Sequence, residues 1–241
     1  MARVRAALLA AGRGVRMGGD TPKTLKPVGE KGPLLQYLID GLKEAEVEDL
    51  LVVTGHRPGE VETYVTERWG SDNLTFVRNM RYASWGNFHS VRVAVDQSPG
   101  FDLMVVNSDI VTHPEVYRRV IETAGDLVLA VQKRDRLDME DMRVHLDGNR
   151  VLGVSKDLKM ARSHGEYTGV SLLRGRAHRV YSDICNEMQW QARTGLYYED
   201  IYNMMTGHVD ARAAQVAAGE YAEVDTPEDL RAAERVLERH F

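Results

Sequence analysis

The chain has 241 residues, with 31 Lys+Arg against 36 Asp+Glu and a formal net charge of −5. That length suffices for one sizeable core. Hydrophobic residues at 43% and charged residues at 28% argue against extended disorder and against a membrane protein. The mild acidity argues against a general nucleic-acid binder, which carries a basic excess.

In chain order, the first half alternates strand-like and helix-like segments. Residues 4–10 form a short apolar run stopped by glycines, a buried strand. Residues 34–42 place apolar side chains at 34, 35, 38, 39 and 42, the period of a helix face. Residues 50–54 read as a strand ended by Gly55, and Pro58 suits the first position of a helix carrying Val61, Tyr64 and Val65. Residues 74–77 are expected to be a strand, 88–95 a helix, 103–106 a strand, 114–124 a helix and 127–131 a strand. Such a β-α-β-α succession implies a mainly parallel sheet with helices on both faces. The second half is more mixed. Residues 142–146 and 151–155 flank Asp147-Gly148-Asn149, a hairpin signal. Residues 167–173 read as a strand, and 176–191 and 198–205 as helical. A last helix is expected from Thr226-Pro227-Glu228-Asp229, where a capping residue precedes proline and two acids. The fold class expected is α/β: a mainly parallel, Rossmann-like sheet with flanking helices and a smaller mixed C-terminal lobe, packed as one domain over 1–241.

Cys185 is the sole cysteine, which excludes an intramolecular disulfide and fits a reducing cytoplasm. It falls among Val180, Ile184 and Met188 at helical spacing, so a buried structural thiol is a simpler reading than a nucleophile. The apolar run 6–11 is too short for a signal-peptide core or a membrane span, and the cytoplasm is the expected location.

The charge is unevenly distributed. Residues 1–31 hold seven basic side chains and two acidic ones, leaving 24 basic and 34 acidic groups for the other 210 residues. The basic excess gathers around a glycine-rich loop after the first strand, Ala11-Gly12-Arg13-Gly14-Val15-Arg16-Met17-Gly18-Gly19-Asp20-Thr21-Pro22-Lys23. Glycines let a backbone approach phosphates and turn its N–H groups towards them. Arginine adds forked donors and lysine a point charge. Neither the P-loop spacing nor the dinucleotide fingerprint is present. The loop therefore reads as an anion site, with a flexible surface turn as the alternative.

Residues 8–42, LLAAGRGVRMGGDTPKTLKPVGEKGPLLQYLIDGL, resemble the signature of the nucleotidyltransferase superfamily that includes the sugar-1-phosphate nucleotidylyltransferases. Its usual form is a strand, L-A-A-G-x-G-x-R, then P-K, then a short apolar helix. The resemblance implies that the loop backbone, Ala10, Ala11, Gly12 and Gly14, holds a nucleoside triphosphate. It also implies that Arg16 contacts the phosphates and that Lys23 stabilises those that react. Arg13 stands at a variable position of the motif and is a further nucleotide-binding candidate. The nucleotide-binding half would span about 1–131 and an acceptor-binding lobe about 132–241.

Two aspartates are the metal candidates. Asn107-Ser108-Asp109 follows a buried strand, which sets a carboxylate at the carboxyl edge of the sheet where open α/β proteins bind ligands. Mg²⁺ with a triphosphate takes one or two protein carboxylates plus phosphate oxygens and water. Asp109 suits that role, or it caps the helix starting near Pro114. In Tyr221-Ala222-Glu223-Val224-Asp225-Thr226, alternation could put Glu223 and Asp225 on one strand face; the alternative is that Asp225 or Thr226 only caps the last helix. The resemblance implies Mg²⁺ held by an aspartate after a central strand and by another near the C-terminus. No His or Cys cluster with zinc spacing competes.

The rest of the chain resembles the small cytidylyltransferases that activate phosphocholine, phosphonates such as 2-aminoethylphosphonate, or inositol 1-phosphate. The residues that carry this are Gly86-Asn87-Phe88-His89-Ser90, Asp141-Met142-Arg143-Val144 with Lys156-Asp157-Leu158, Gly165-Glu166-Tyr167-Thr168-Gly169, and Tyr198-Glu199-Asp200. Asn87 and Ser90 could contact base or ribose, or cap a helix. Glu166, Glu199, Asp200 and Glu223 with Tyr198 could form a carboxylate-and-aromatic pocket for an ammonium group. Singly, each acid also reads as a solvated face or a cap, and Tyr197 and Tyr198 read equally as core or as cage. Lys133 and Lys156, near strand ends, could meet the acceptor's anion or lie on the surface. The activity implied is transfer of a cytidylyl group from CTP to a small phosphate or phosphonate, with Mg²⁺ as cofactor and no nucleic-acid or membrane partner. A sugar- or inositol-phosphate nucleotidylyltransferase is the alternative. A nucleotide-sugar glycosyltransferase fits less well, since D-x-D is absent around Asp109. A non-catalytic nucleotide sensor fits less well too, since both aspartates and Lys23 are present.

Overall fold

In the computed structural model the residues described are 3–12, 14, 21–28, 32–134 and 136–240. After β1 (Arg3–Ala10) come a 3-10 turn at Lys23–Leu25, a small ribbon of β2 (Pro27–Val28) and β3 (Gly32–Pro33), and α1 (Leu34–Glu44). Then follow β4 (Asp49–Thr54), α2 (Pro58–Trp69), β5 (Leu74–Arg78), α3 (Phe88–Asp96), β6 (Phe101–Asn107), β7 (Ile110–Thr112), α4 (Pro114–Glu122) and β8 (Leu127–Gln132). The remainder is β9 (Arg143–Asp147), β10 (Arg150–Ser155), β11 (Gly165–Leu173), α5 (Arg176–Trp190), α6 (Tyr198–Met205), β12 (Ala211–Val216), β13 (Tyr221–Glu223) and α7 (Leu230–His240). Among the described residues no helix is long and apolar enough to cross a membrane.

Among the described residues nine strands form one mixed sheet in the order β5-β4-β1-β6-β11-β8-β12-β10-β9. β5, β4, β1 and β6 run parallel, as do β8 and β12, whereas β11 is antiparallel to both β6 and β8. β9 returns to pair with the start of β11, Gly165 opposite Val144 and Glu166 opposite Arg143. The last five strands of the order therefore close into a ring. β1 lies at the point where the connections reverse direction, with β4 on one side and β6 on the other. In open α/β sheets that crevice, at the carboxyl ends of the strands, is where ligands bind.

The central strands are apolar runs without alternation because both faces are covered. Ala7, Leu51, Val53 and Val105 pack on one face with Phe88, Val91, Tyr181 and Tyr202 from α3, α5 and α6. Ala6, Leu8, Val52 and Val106 pack on the other with Leu38, Val61, Val116 and Tyr117 from α1, α2 and α4. A third cluster joins Val28, Tyr37, Val111, Val224 and Val236, fastening α7 beside the two-stranded ribbon of β7 and β13. Cys185 is fully buried, and burial pushes its thiol up to about 12.

The last helix begins differently from the sequence expectation. Residues Pro227–Asp229 form a 3-10 turn and α7 starts at Leu230. Asp229 accepts the N–H groups of Asp225 and Thr226 at 2.9 and 2.7 Å and the Thr226 hydroxyl at 3.0 Å. The capping acceptor is thus Asp229, and Thr226 is a donor to it.

Candidate active site

Lys23, Asp109 and Asp225 are far apart in sequence and adjacent in space. β6 delivers Asp109 through a tight turn, and the Ser108 hydroxyl donates to Leu9 O at 2.7 Å, which ties that turn to the end of β1. β7 then pairs antiparallel with β13, Glu223 opposite Ile110, and Val224 N donates to Asp109 O at 2.8 Å. This ribbon brings Glu223 and Asp225 to Asp109, so that one carboxylate oxygen from each of the three lies within 4.8 Å of the others.

Lys23 enters from the 3-10 turn after Pro22. Its Nζ donates to Asp225 Oδ1 at 2.5 Å and Asp109 Oδ2 at 3.2 Å. Burial favours the neutral amine, but the carboxylates Asp109 and Asp225 outweigh it and hold the lysine pKa above its ordinary value. Gly14 makes room for this: its φ is +59°, and a Cβ there would lie 2.5 Å from Lys23 Cβ.

A cavity of about 400 Å³ opens at the carboxyl ends of β1 and β6, lined by Ala10, Ala11, Gly12 and Gly14 on the loop side, with Asn87, Ser90 and Lys23. A second cavity of about 290 Å³ adjoins it, walled by Glu140, Asp141, Lys156, Glu166, Tyr197, Glu199 and Glu223. Asn87, Asn107, Asp109 and Asp225 line both. The two cavities therefore meet at the aspartates that Lys23 bridges.

Electrostatics differ sharply between the two. The second cavity is rich in carboxyls held above their ordinary range. Burial pushes Glu199 up to about 8, and Glu166 up to about 7, the latter against the pull of the Arg134 guanidinium 2.9 Å away. Glu223 is also pushed up to about 7, by desolvation and by the facing carboxylates of Asp109, Asp225 and Glu166. Glu199 Oε2 and Asp109 Oδ1 are buried and have no hydrogen-bond partner among the described residues. A buried, unpaired carboxylate oxygen costs free energy until a donor or a cation reaches it.

The structure gathers many, though not all, of the residues singled out from sequence. Ala10, Ala11, Gly12, Gly14, Lys23, Asn87, Ser90, Asp109 and Asp225 line the first cavity. Lys156, Glu166, Glu199 and Glu223 line the second, with Lys156 Nζ 3.4 Å from Glu140. Arg13 and Arg16 lie outside the described residues. Asn87 does not cap α3 through its side chain; its Oδ1 accepts Tyr198 N at 2.9 Å, and Ser90 Oγ accepts from Asn79 Nδ2 at 2.9 Å.

Three acceptor candidates are placed elsewhere. Tyr198 is fully buried, packed edge-on against Tyr167 and Tyr202, with its hydroxyl donating to Asn107 Oδ1 at 2.9 Å. Asp200 turns back to accept Tyr197 N at 2.8 Å at the start of α6. Lys133 lines a small separate cavity with Gly148 and Asn149 under the hairpin of β9 and β10. Several lining residues had no role assigned from sequence: Thr24, Asn107, Glu140, Asp141, Tyr167 and Tyr221, whereas Tyr197, weighed between core and cage, is exposed and lines the second cavity. Asn107 had a usable signal, since it stands between a buried strand and Asp109; the others needed the fold.

A glycine-lined cavity at the carboxyl ends of parallel strands, with a lysine and an aspartate pair at its seam, fits a nucleotidyltransferase. The chain belongs to the family of MobA-like NTP transferase domains, whose sequence model matches residues 6–183. It is 25% identical over 238 residues to the choline-phosphate cytidylyltransferase of Streptococcus pneumoniae, covering 97% of this chain and 98% of that one. It is 30% identical over 239 residues to a bifunctional IPC transferase and DIPP synthase of Rubrobacter xylanophilus, covering 97% of this chain and 52% of that one, about half the relative's length. The structure of the inositol-1-phosphate CTP transferase from T. maritima shares the fold, with a TM-score of 0.82 at 19% identity, covering 100% of this chain and 99% of that one. The protein is an enzyme, a nucleotidyltransferase of the cytidylyltransferase and sugar-phosphate type.

Proposed function

We propose that the enzyme is a Mg²⁺-dependent cytidylyltransferase. It joins CTP to a small phosphate or phosphonate of the phosphocholine, aminoethylphosphonate or hydroxyethylphosphonate type and releases pyrophosphate. The observation that carries this reading is the pair of cavities meeting at Asp109 and Asp225, with Lys23 between them. The glycine-lined cavity takes the nucleotide and the acidic one the acceptor. The similarity to a choline-phosphate cytidylyltransferase over nearly the whole chain supports CTP as the donor.

An acceptor oxygen attacks the α-phosphorus of CTP in line. The new P–O bond forms as the bond to the bridging oxygen of the β-phosphate breaks, and pyrophosphate leaves with the electron pair. A phosphate or phosphonate oxygen is already anionic near neutral pH, so no strong general base is needed. Positioning and charge neutralisation then carry the rate. Lys23 donates to phosphate oxygens on the donor side, and Arg16 is assigned the same task by its place in the loop motif.

Asp109, Glu223 and Asp225 fit a hard divalent cation: all three offer oxygen, within 4.8 Å of one another, and Asp109 Oδ1 has no hydrogen-bond partner among the described residues. Mg²⁺ held there supplies Lewis-acid neutralisation of phosphate charge. In the second cavity Glu166 and Glu199 offer carboxyl oxygens to an ammonium group, Tyr197 offers an exposed ring, and Lys156 offers a cation for the acceptor's phosphate or phosphonate.

A sugar- or inositol-1-phosphate nucleotidylyltransferase is the second reading, favoured by the likeness to the T. maritima inositol-1-phosphate CTP transferase. One experiment separates them. CTP, UTP, ATP and GTP are each paired with phosphocholine, aminoethylphosphonate, hydroxyethylphosphonate, inositol 1-phosphate and glucose 1-phosphate, and pyrophosphate release is measured. The expected result is turnover confined to CTP with phosphocholine, aminoethylphosphonate or hydroxyethylphosphonate. Turnover only with a sugar or inositol phosphate selects the second reading, and CTP binding without turnover on any acceptor refutes both.

A further inference from the structure

Arg143 is the largest of the fully buried side chains, at 1% exposure, and it lies outside both cavities. Among the described residues no carboxylate comes within ion-pair distance of it. Its guanidinium instead spends its donors on main-chain carbonyls. Nε reaches Leu158 O at 3.0 Å, and one terminal nitrogen reaches Asp138 O at 2.7 Å and Met139 O at 2.9 Å. The other terminal nitrogen donates to Lys156 O.

Those four carbonyls belong to two loops, the one entering β9 and the one leaving β10. The first loop carries Glu140, Asp141 and Met142, and the second carries Lys156, which together form one wall of the acidic cavity. β9 itself is anchored, because Arg143 pairs with Glu166 of β11, and Tyr167 N donates to Met142 O at 2.8 Å. A planar fork can address carbonyls in several directions at once, whereas an ammonium radiates three donors from one atom. The contact is therefore a matter of shape more than of charge.

We propose that Arg143 is a positioning residue for the acceptor: its fork locks the two loops against each other and so sets the wall of the second cavity. This rests on the reading that the acidic cavity takes the acceptor. Among the described residues the nucleotide cavity draws no lining residue from either loop, so nucleotide affinity is expected to be independent of the clamp.

The test uses R143K, which keeps the charge and loses the fork, and R143M as a second variant. Hydrogen–deuterium exchange of the ligand-free proteins comes first. Residues 136–142 and 155–160 are expected to exchange about tenfold faster or more in both variants, with β1 and β6 unchanged. Steady-state kinetics follow, with the acceptor and CTP varied separately. Acceptor KM is expected to rise about tenfold or more while CTP KM stays within about twofold. Unchanged exchange in a folded R143K, a uniform rise that includes β1 and β6, or parallel increases in both KM values would each overturn the proposal. Exchange needs no substrate, so the two levels fail separately. If the wild type transfers to no acceptor, the functional reading falls and takes the acceptor role with it, while exchange still reports whether the fork orders the loops.

Discussion

Glu199 offers a quantitative test of how the acidic cavity is built. The residue is 6% exposed, and burial raises its carboxyl from 4.5 to about 8. Its folded pKa therefore lies above its unfolded one. Below pH 4.5 both states hold the proton and the group contributes nothing. Between pH 4.5 and 8 the unfolded chain has released it while the native state keeps it, so native stability falls as pH rises. The slope is about 1.4 kcal/mol per pH unit, which accumulates to about 5 kcal/mol by pH 8. Glu199→Gln preserves shape and an acceptor oxygen and removes the titration. Urea and thermal unfolding of the ligand-free proteins from pH 4.5 to 9 measure the difference. The variant and the wild type are expected to match near pH 4.5 and to separate progressively, by about 10 °C or more in Tm at pH 8 for a domain of this size. Glu166 and Glu223 titrate in both proteins and largely drop out of the comparison. A gap that stays constant with pH would refute the reasoning, because a packing effect does not titrate.

Lys23→Met is expected to lower pyrophosphate release by about two to four orders of magnitude while the melting transition remains cooperative; near-wild-type turnover would sink the role given to the lysine. Gly14→Ala places a Cβ 2.5 Å from Lys23 Cβ and forces an L side chain to φ +59°, so weaker CTP binding by calorimetry is expected, at a stability cost of about 1–3 kcal/mol. The opposite outcome, full CTP affinity, would mean that the loop does not need its close approach to Lys23. Cys185, fully buried with its thiol pushed up to about 12, should resist a thiol-specific disulfide reagent at pH 8 until the protein is denatured; rapid native labelling would contradict its burial.

Which parts could be read from the sequence follows from how each part is stabilised. β1, β4, β6 and β8 stand out because strands buried on both faces become unbroken apolar runs. α1 stands out because its inner face is set by its own period. β12, with Arg212 and Gln215 among small residues, carries no such mark; it is a strand because β8 offers it a parallel edge over six residues. β7 is three residues long and exists through its pairing with β13, a contact between positions more than a hundred residues apart. The same logic divides the site. Lys23, Asp109 and Asp225 sit beside local punctuation: the P-K step, the end of a buried strand, the start of a helical segment. Tyr198, Asp200 and Lys133 are also polar groups beside elements, but packing and capping claim them. Tyr198 is drawn inward by Tyr167 and Tyr202, Asp200 satisfies a helix start, and the β9–β10 hairpin leaves Lys133 on another face.

The uneven charge along the chain has a structural counterpart at the seam of the two cavities. Three carboxylate oxygens within 4.8 Å repel one another, and those of Asp109 and Asp225 are partly withdrawn from water, where repulsion is less screened. Lys23, from the basic N-terminal stretch, offsets that repulsion by bridging Asp109 and Asp225, so in the ligand-free enzyme it acts as an internal counter-ion. A polyphosphate that draws Lys23 towards itself removes this compensation and adds negative charge of its own. The carboxylates must then find another cation or take up protons; Glu223 is already raised to about 7, first by desolvation and then by the facing carboxylates. On the proposed function, nucleotide binding and divalent-cation binding would be coupled through this one amine, each making the other more favourable and by linkage equally so.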